Sequence, residues 1–291
     1  MGKMIETETS LSAFRLCADD FALSEGVSRG ILEALAAGRL SATSAMTTRP
    51  FWPQAARLLH ELKPAAEIGV HLNLTLGAPL TAMPAFAPAG TLPPVSQVLR
   101  AARTRGLPLA EIGRETAAQI EAFAEAFGRL PSFVDGHQHV HLLPVLRRVL
   151  FDVLERKGLI GKIWLRNSGD RLSRVLRRGV EAKKACAVAW LARGFAAEAT
   201  KRGFATNEGF SGFSSFSSRR DYGADFVRYL VAPGAAHLVM CHPGHVDEEL
   251  KRLDPVTQTR EAELAFLLSS RFGECLAQRG AVLARVVAAP H

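Results

Sequence analysis

"FRLCADDFALSEGVSRGILEALAAG", Phe14 to Gly38, is the stretch that decides how the chain is read. Phe14 to Ala18 reads as a short strand. Glu25 to Gly38 carries apolar residues at helical spacing, with Gly38 as its C-terminal stop. Two adjacent carboxylates, Asp19 and Asp20, stand where the strand hands over to the turn. Strand, polar turn and amphipathic helix then recur down the chain. Ser41 to Met46, Glu67 to Leu74, residues 131–136, Lys162 to Asn167, Ala236 to Cys241 and Gly280 to Val286 read as further strands. Helices are expected near 51–62, 109–128, 144–158, 221–231 and 257–271, with a Gly- and Pro-rich loop over 77–94. Such alternation points to an α/β fold with a parallel sheet and helices outside it. Six or seven such units suggest a closed or nearly closed barrel, with an open doubly wound sheet as the alternative. No GxGxxG follows the first strand, so a dinucleotide site is not expected.

At 291 residues the chain is long enough to bury a substantial core in one domain, read here as residues 1–291. A composition of 48% hydrophobic and 22% charged residues is ordinary for a globular protein. The four cysteines, Cys17, Cys186, Cys241 and Cys275, form no CxxC pair, which argues against a zinc ribbon or a disulfide framework and for a reducing compartment. "MGKMIETETSLSAFRLC" lacks the apolar core of a signal peptide, and the longest apolar run, Ala185 to Ala192, is too short to span a bilayer. A cytoplasmic location is the expectation. Of the net charge of +8, residues 171–202 carry +7, from nine Lys or Arg against two Glu. Basic character confined to one segment argues against nucleic acid as a partner, while a homo-oligomer is compatible with the sequence.

Chemistry-bearing residues recur at the ends of the expected strands. Asp19 and Asp20 end the first and His71 lies late in the third. "FVDGHQHVHLLP", Phe133 to Pro144, places Asp135, His137, His139 and His141 after the fourth, Arg166 and Asn167 end the fifth, and His242 and His245 follow Cys241. Extended backbone would put the three histidines on one face at about 6–7 Å per two-residue step; a helix would align only His137 and His141. Either can present imidazoles to one metal ion, and polar turn residues bonded to nearby carbonyls are the alternative. Active sites of parallel α/β folds collect at the carboxyl ends of strands, so these clusters are expected to share one mouth. Two His with Asp carboxylates suit a divalent ion such as Zn2+, Co2+, Ni2+ or Mn2+ with open positions; the cofactor expected is one divalent ion, Mg2+ or Zn2+ first and Co2+, Ni2+ or Mn2+ next. A spare carboxylate can then act as base and a histidine opposite as acid, the inventory for hydrolysis of an amide or ester.

"CADDFALSEGVSRGI", "IGVHLNLTLGAPLTAMP", "FVDGHQHVHLLP", "GFSGF" and "MCHPG" occur in that order and together closely resemble the YdjC-like carbohydrate deacetylases, also called the chitooligosaccharide deacetylase family. The likeness runs from about Arg15 to Val286. It implies a variant (β/α) barrel, a divalent metal, and removal of an acetyl group from an N-acetylated sugar. Carried over residue by residue, it makes Asp19 the base and Asp20, His71 and His137 the metal ligands, and analogy with related polysaccharide deacetylases makes His242 the acid; the histidine cluster itself offers His139 or His141 as rival ligands. Arg166, Asp135 and Phe210 are assigned to substrate binding. The family often reads "ADDFG" where this chain has Ala22. The other functional readings are a metal hydrolase acting on a different amide or ester, and a non-catalytic sugar- or metal-binding protein on the same fold.

Residues 171–202 look like an insertion of one or two helices relative to compact members. They are read either as a helical lid over the site or as a basic amphipathic surface touching anionic membrane or a lipid-linked sugar. Some members of the family are associated with hopanoid lipid biosynthesis, although the motifs here look closer to the chitooligosaccharide branch.

Overall fold

The computed structural model describes residues 12–284 except 105 and 218. The N-terminal leader reading therefore falls mostly outside the described residues, as do Arg285 and Val286 of the last expected strand. β1 (Ser12–Phe21) is buried on both faces over most of its length, as a central parallel strand must be. α1 (Glu25–Ala36) follows, its N-terminus capped by Ser24, whose side chain accepts from the Val27 N–H. Val27, Ile31, Ala34 and Leu35 form its buried stripe. Gly30 is required there, because a Cβ would come within 2.7 Å of the Gly244 backbone in the "CHPGH" loop.

β2 (Ala42–Ala45), α2 (Trp52–Leu62) and β3 (Glu67–Leu72) continue the alternation. α3 (Val95–Arg103) and α4 (Leu109–Phe127) lead to β4 (Phe133–Gly136), a 3-10 turn (His137–Leu142), α5 (Pro144–Arg156) and β5 (Trp164–Leu165). The insertion folds as three short helices, α6 (Leu172–Arg178), α7 (Ala182–Leu191) and α8 (Phe195–Lys201), where one or two were expected. β6 (Ala205–Thr206), β7 (Phe210–Ser211), α9 (Tyr222–Tyr229), β8 (His237–Cys241), α10 (Glu248–Leu253), α11 (Gln258–Leu268), α12 (Ser270–Arg279) and β9 (Ala281–Leu283) complete the chain. The single helix expected over 257–271 is broken because Ser269 is extended.

The strands form one sheet in the order β6-β5-β4-β3-β2-β1-β8-β7, with β9 also paired to β1, and every ladder between named strands is parallel. Its curvature follows from one contact. β5 and β1 are four positions apart in the order, about 19 Å on a flat sheet. Yet the Arg166 guanidinium at the end of β5 donates to the Asp19 carboxylate on β1 at 2.8 Å. The sheet must curl so that both side chains point inward. Its edge strands, β6 and β7, are also neighbours in sequence, and the four steps from Thr206 to Phe210 span at most about 14 Å. Asn207 bridges this seam, accepting from the Asn167 N–H at 2.7 Å and donating to the carbonyls of Asn167 and Gly209. The result is the expected barrel-like α/β fold, curled and parallel, and left open between β6 and β7. Gly212 of "GFSGF" has φ +104, and a Cβ there would meet the Met240 carbonyl at 2.0 Å, so β7 can lie beside β8 only with glycine at that position.

Candidate metal centre

Two consecutive strand residues normally point to opposite faces. Asp19 and Asp20 nevertheless both line the mouth of the barrel, and the β1–β2 register shows why. Ala18 pairs with Thr43 and Phe21 with Ala45, so β1 spends three steps where β2 spends two. Asp20 takes up the extra residue at φ 67, a bulge that re-aims its side chain.

From β3, His71 points Nε2 at Asp20 Oδ1, 3.3 Å away, while its Nδ1 meets Asp135 Oδ1 at 2.7 Å and Ser44 Oγ at 3.0 Å. His71 and Asp135 are register partners on adjacent strands. His137, the first residue after β4, brings Nδ1 to 3.0 Å from Asp20 Oδ1. Beyond it Gln138 and His139 take left-handed backbone angles, and the three histidines part company. His139 packs edge-on against Phe210 and Phe213. His141 turns inward, with Nε2 at 2.9 Å from the Arg166 carbonyl. Neither joins the donor atoms of Asp20, His71 and His137, which lie within 4.8 Å of one another. The rival ligands proposed from the histidine spacing are thereby set aside, because the backbone is neither a strand nor a regular helix at that point.

The trio fits a divalent cation. Donors bonded at about 2.0–2.1 Å to one ion, at tetrahedral or octahedral angles, lie roughly 2.8–3.4 Å apart. The two Asp20–His distances are 3.0 and 3.3 Å. The local field also favours positive charge: burial alone would keep His71 neutral, but the Asp135 and Asp20 carboxylates outweigh it and push its pKa up to about 10. Asp20 is held on its other side by Arg260, which donates to Oδ2 at 2.7 Å and also to Asp254 at 2.8 Å. Burial opposes ionisation of Asp20, and Arg260 with the two histidines reverses it, holding the carboxyl well below the usual range. A second group, Cys17, Asp19 and Asp135, encloses the guanidinium of Arg166, an organic cation that already fills the space between them and offsets part of their charge.

Arg166, Asp135 and Phe210, assigned to substrate from the sequence, are all buried and do not line the pocket. That assignment is corrected on geometry. Arg166 bonds both Asp19 and Asp135, Asp135 orients His71, and Phe210 supports His139 and Phe213. Burial pushes the Asp19 carboxyl above its usual range and Arg166 only partly reverses this, leaving a carboxylate of raised basicity at the pocket wall. His242 lines the same pocket, its ring 5.4 Å from Phe216 and its backbone N–H donating to Glu263 at 2.6 Å. Burial pushes its imidazole below the usual value. The pocket has a volume of about 280 Å³, with Lys184 of α7, Phe213, Phe216 and Val256 adding to its wall. Arg260, Asp254, Glu263 and Lys184 were missed from the sequence; none stands at a strand end, the only positional signal available there.

The sequence profile of the YdjC-like protein family matches residues 14–278. The chain belongs to the YdjC-like family. Among members, the chitooligosaccharide deacetylases of Salmonella paratyphi B and Salmonella dublin are each 33% identical over 269 residues, which covers 90% of this chain and 93% of theirs. The crystal structure of a putative cellobiose-phosphate cleavage protein from Enterococcus faecalis superposes with a TM-score of 0.72 at 23% identity, covering 95% of this chain and 98% of that one, a likeness of fold. The matched YdjC-like span contains Asp19, Asp20, His71, His137, His242 and Arg260.

Proposed function

We propose that this chain is a metal-dependent carbohydrate deacetylase that hydrolyses the acetamide of an N-acetylated sugar. The observation that carries the reading is the Asp20–His71–His137 donor set lying in one pocket with a separate carboxylate, Asp19, held by Arg166. The relatives named chitooligosaccharide deacetylase, aligned over nine-tenths of the chain, support the substrate class. A divalent cation bound by Asp20, His71 and His137 supplies Lewis acidity and lowers the pKa of water. Asp19, whose basicity burial raises, removes the proton from the attacking water. Arg166 keeps that carboxylate aimed into the pocket through two bonds. His242, on the pocket wall, delivers a proton to the departing amine. Burial keeps its ring neutral at rest, so the ring must first take up a proton from solvent; negative charge building on the substrate during attack raises its affinity for that proton, which then passes to the departing amine. Lys184, Phe213 and Phe216 bound the space around the sugar.

The test is acetate release from N-acetylglucosamine oligomers by purified protein with its metal content measured, alongside soluble and lipid-linked N-acetyl sugars. Release that stops on chelation and returns with added divalent ion supports the reading. Turnover of an unrelated ester but no N-acetyl sugar favours a different metal hydrolase, and sugar binding without turnover favours a non-catalytic protein.

A further inference from the structure

Among the described residues, the three most exposed large apolar side chains are Trp190 at 64% and Leu172 and Leu176 at 60% each, and all three stand on the insertion. Single exposed apolar residues need no explanation. Here they share a segment with +7 of the chain's +8 net charge. The packing of α6 and α7 shows which way they face. Val175 of α6 and Ala185 and Cys186 of α7 enter one apolar cluster with Phe210, Phe213 and Met240 of the barrel. Each helix thus gives one side to the barrel and turns the other away. On α6 the outward side carries Leu172 and Leu176, one turn apart. On α7 it carries Lys183, Ala187 and Trp190, at the i, i+4, i+7 spacing of one face.

The cations divide in the same way. Arg174, Arg178 and Arg202 are paired with Asp170, Glu208, Asp152 and Glu155. Arg177, Lys183 and Arg193 are exposed and make no ion pair among the described residues. The outward face therefore mixes unpaired positive charge with Leu and Trp side chains in water.

We propose that this face docks on an anionic lipid bilayer. A bilayer surface offers what the two kinds of side chain need at one depth: acidic headgroups for the cations, and the acyl boundary for Leu172, Leu176 and Trp190. A nucleic acid would satisfy the charge and leave the leucines wet. A second copy of the chain, set face to face, would bring the unpaired cations Arg177, Lys183 and Arg193 of one face against those of the other. Lys184, next to Lys183 on α7, reaches the rim of the pocket and donates to the Ser214 carbonyl at 2.7 Å, so docking on α7 also sets the pocket mouth beside the membrane.

The experiment is co-sedimentation of the full chain with vesicles of phosphatidylcholine alone, and of phosphatidylcholine and phosphatidylglycerol in about equal parts. Binding is expected to the anionic vesicles only, and to be lost at about 1 M NaCl, where the screening length is about 3 Å. Trp52 is buried and Trp164 stacks on Phe133, so a blue shift of tryptophan emission on binding reports Trp190. Trp190→Phe should keep binding and abolish the shift. Leu176→Ser with Trp190→Ser, and separately Arg177→Glu with Lys183→Glu, should each weaken binding about tenfold or more while leaving the thermal transition in place. Absence of co-sedimentation, equal binding to neutral vesicles, or bound protein with unchanged Trp190 emission would each overturn the proposal.

Discussion

Replacing Asp135 with Asn separates two accounts of that residue. Read from sequence, Asp135 touches substrate; in the structure it is wholly buried between His71 Nδ1 and Arg166. Asparagine nearly keeps the shape but removes the charge. Its carboxamide oxygen can still accept from His71, but its NH2 then faces the Arg166 guanidinium, donor against donor. Arg166 retains Asp19, to which it makes two bonds, so the fold should persist. His71 exchanges a charge-assisted hydrogen bond at 2.7 Å for a neutral one and keeps its contact with Ser44 at 3.0 Å. Bonds to charged partners contribute about 1.5–3 kcal/mol and neutral ones about 0.5–1.5, a difference of about 1–1.5 kcal/mol. If that difference acts on the ligating ring, the Kd for the cation rises roughly tenfold, at the lower end of the 10–100-fold usual for such supporting carboxylates. Competition against a chromogenic chelator, with metal-free protein and Zn2+ at neutral pH, measures it directly. A Kd within about twofold of wild type, together with a raised KM for the N-acetyl sugar, would refute the reasoning and return Asp135 to the substrate.

Asp19→Asn should keep the metal and lose about 10²–10⁴-fold in turnover, because Asn cannot take a proton; near-normal kcat removes Asp19 from the chemistry. His137→Ala should abolish metal retention while His139→Ala leaves the stoichiometry unchanged, as elemental analysis of the two purified variants will tell. Ala22 sits at φ 72, so Ala22→Gly should relieve strain of about 1–2 kcal/mol, partly offset by chain entropy, and raise the unfolding midpoint; a fall would mean that the local packing outweighs the backbone. His237 is buried and its pKa falls to about 4, first through burial and then through Arg178. Below the ordinary value of 6.5 the unfolded chain takes the proton first, so stability should decline between about pH 6.5 and 4 by on the order of 3 kcal/mol. The unfolding free energy from urea titrations should fall by that much more in wild type than in His237→Gln between the two ends of that range; an equal fall in both would exclude His237 as the source.

What the sequence determined by itself is the part governed by local rules. Apolar runs and amphipathic periods of Phe14 to Gly38 repeat along the chain, so the parallel α/β plan was legible, and with it the gathering of Asp19, Asp20, His71, His137 and His242 at one mouth. The tertiary structure alone decided what each of those groups faces. A one-residue bulge, invisible in "CADDF", lets two adjacent aspartates share a site. Two left-handed residues in "GHQHVH" send one histidine of three to the Asp20–His71 donor set, leave His139 on the pocket wall against Phe213, and turn His141 into the core. Arg166 and Asp135 look from the sequence like substrate contacts; the curled sheet buries them against Asp19 and His71 from strands far apart in the chain. Arg260, 240 residues from the Asp20 it holds, carries no local mark at all. Local periodicity sets which residues form strands and helices, because it depends on neighbours a few positions away. Side-chain pairing inside the barrel depends on how a sheet closes on itself, and no window of sequence contains that.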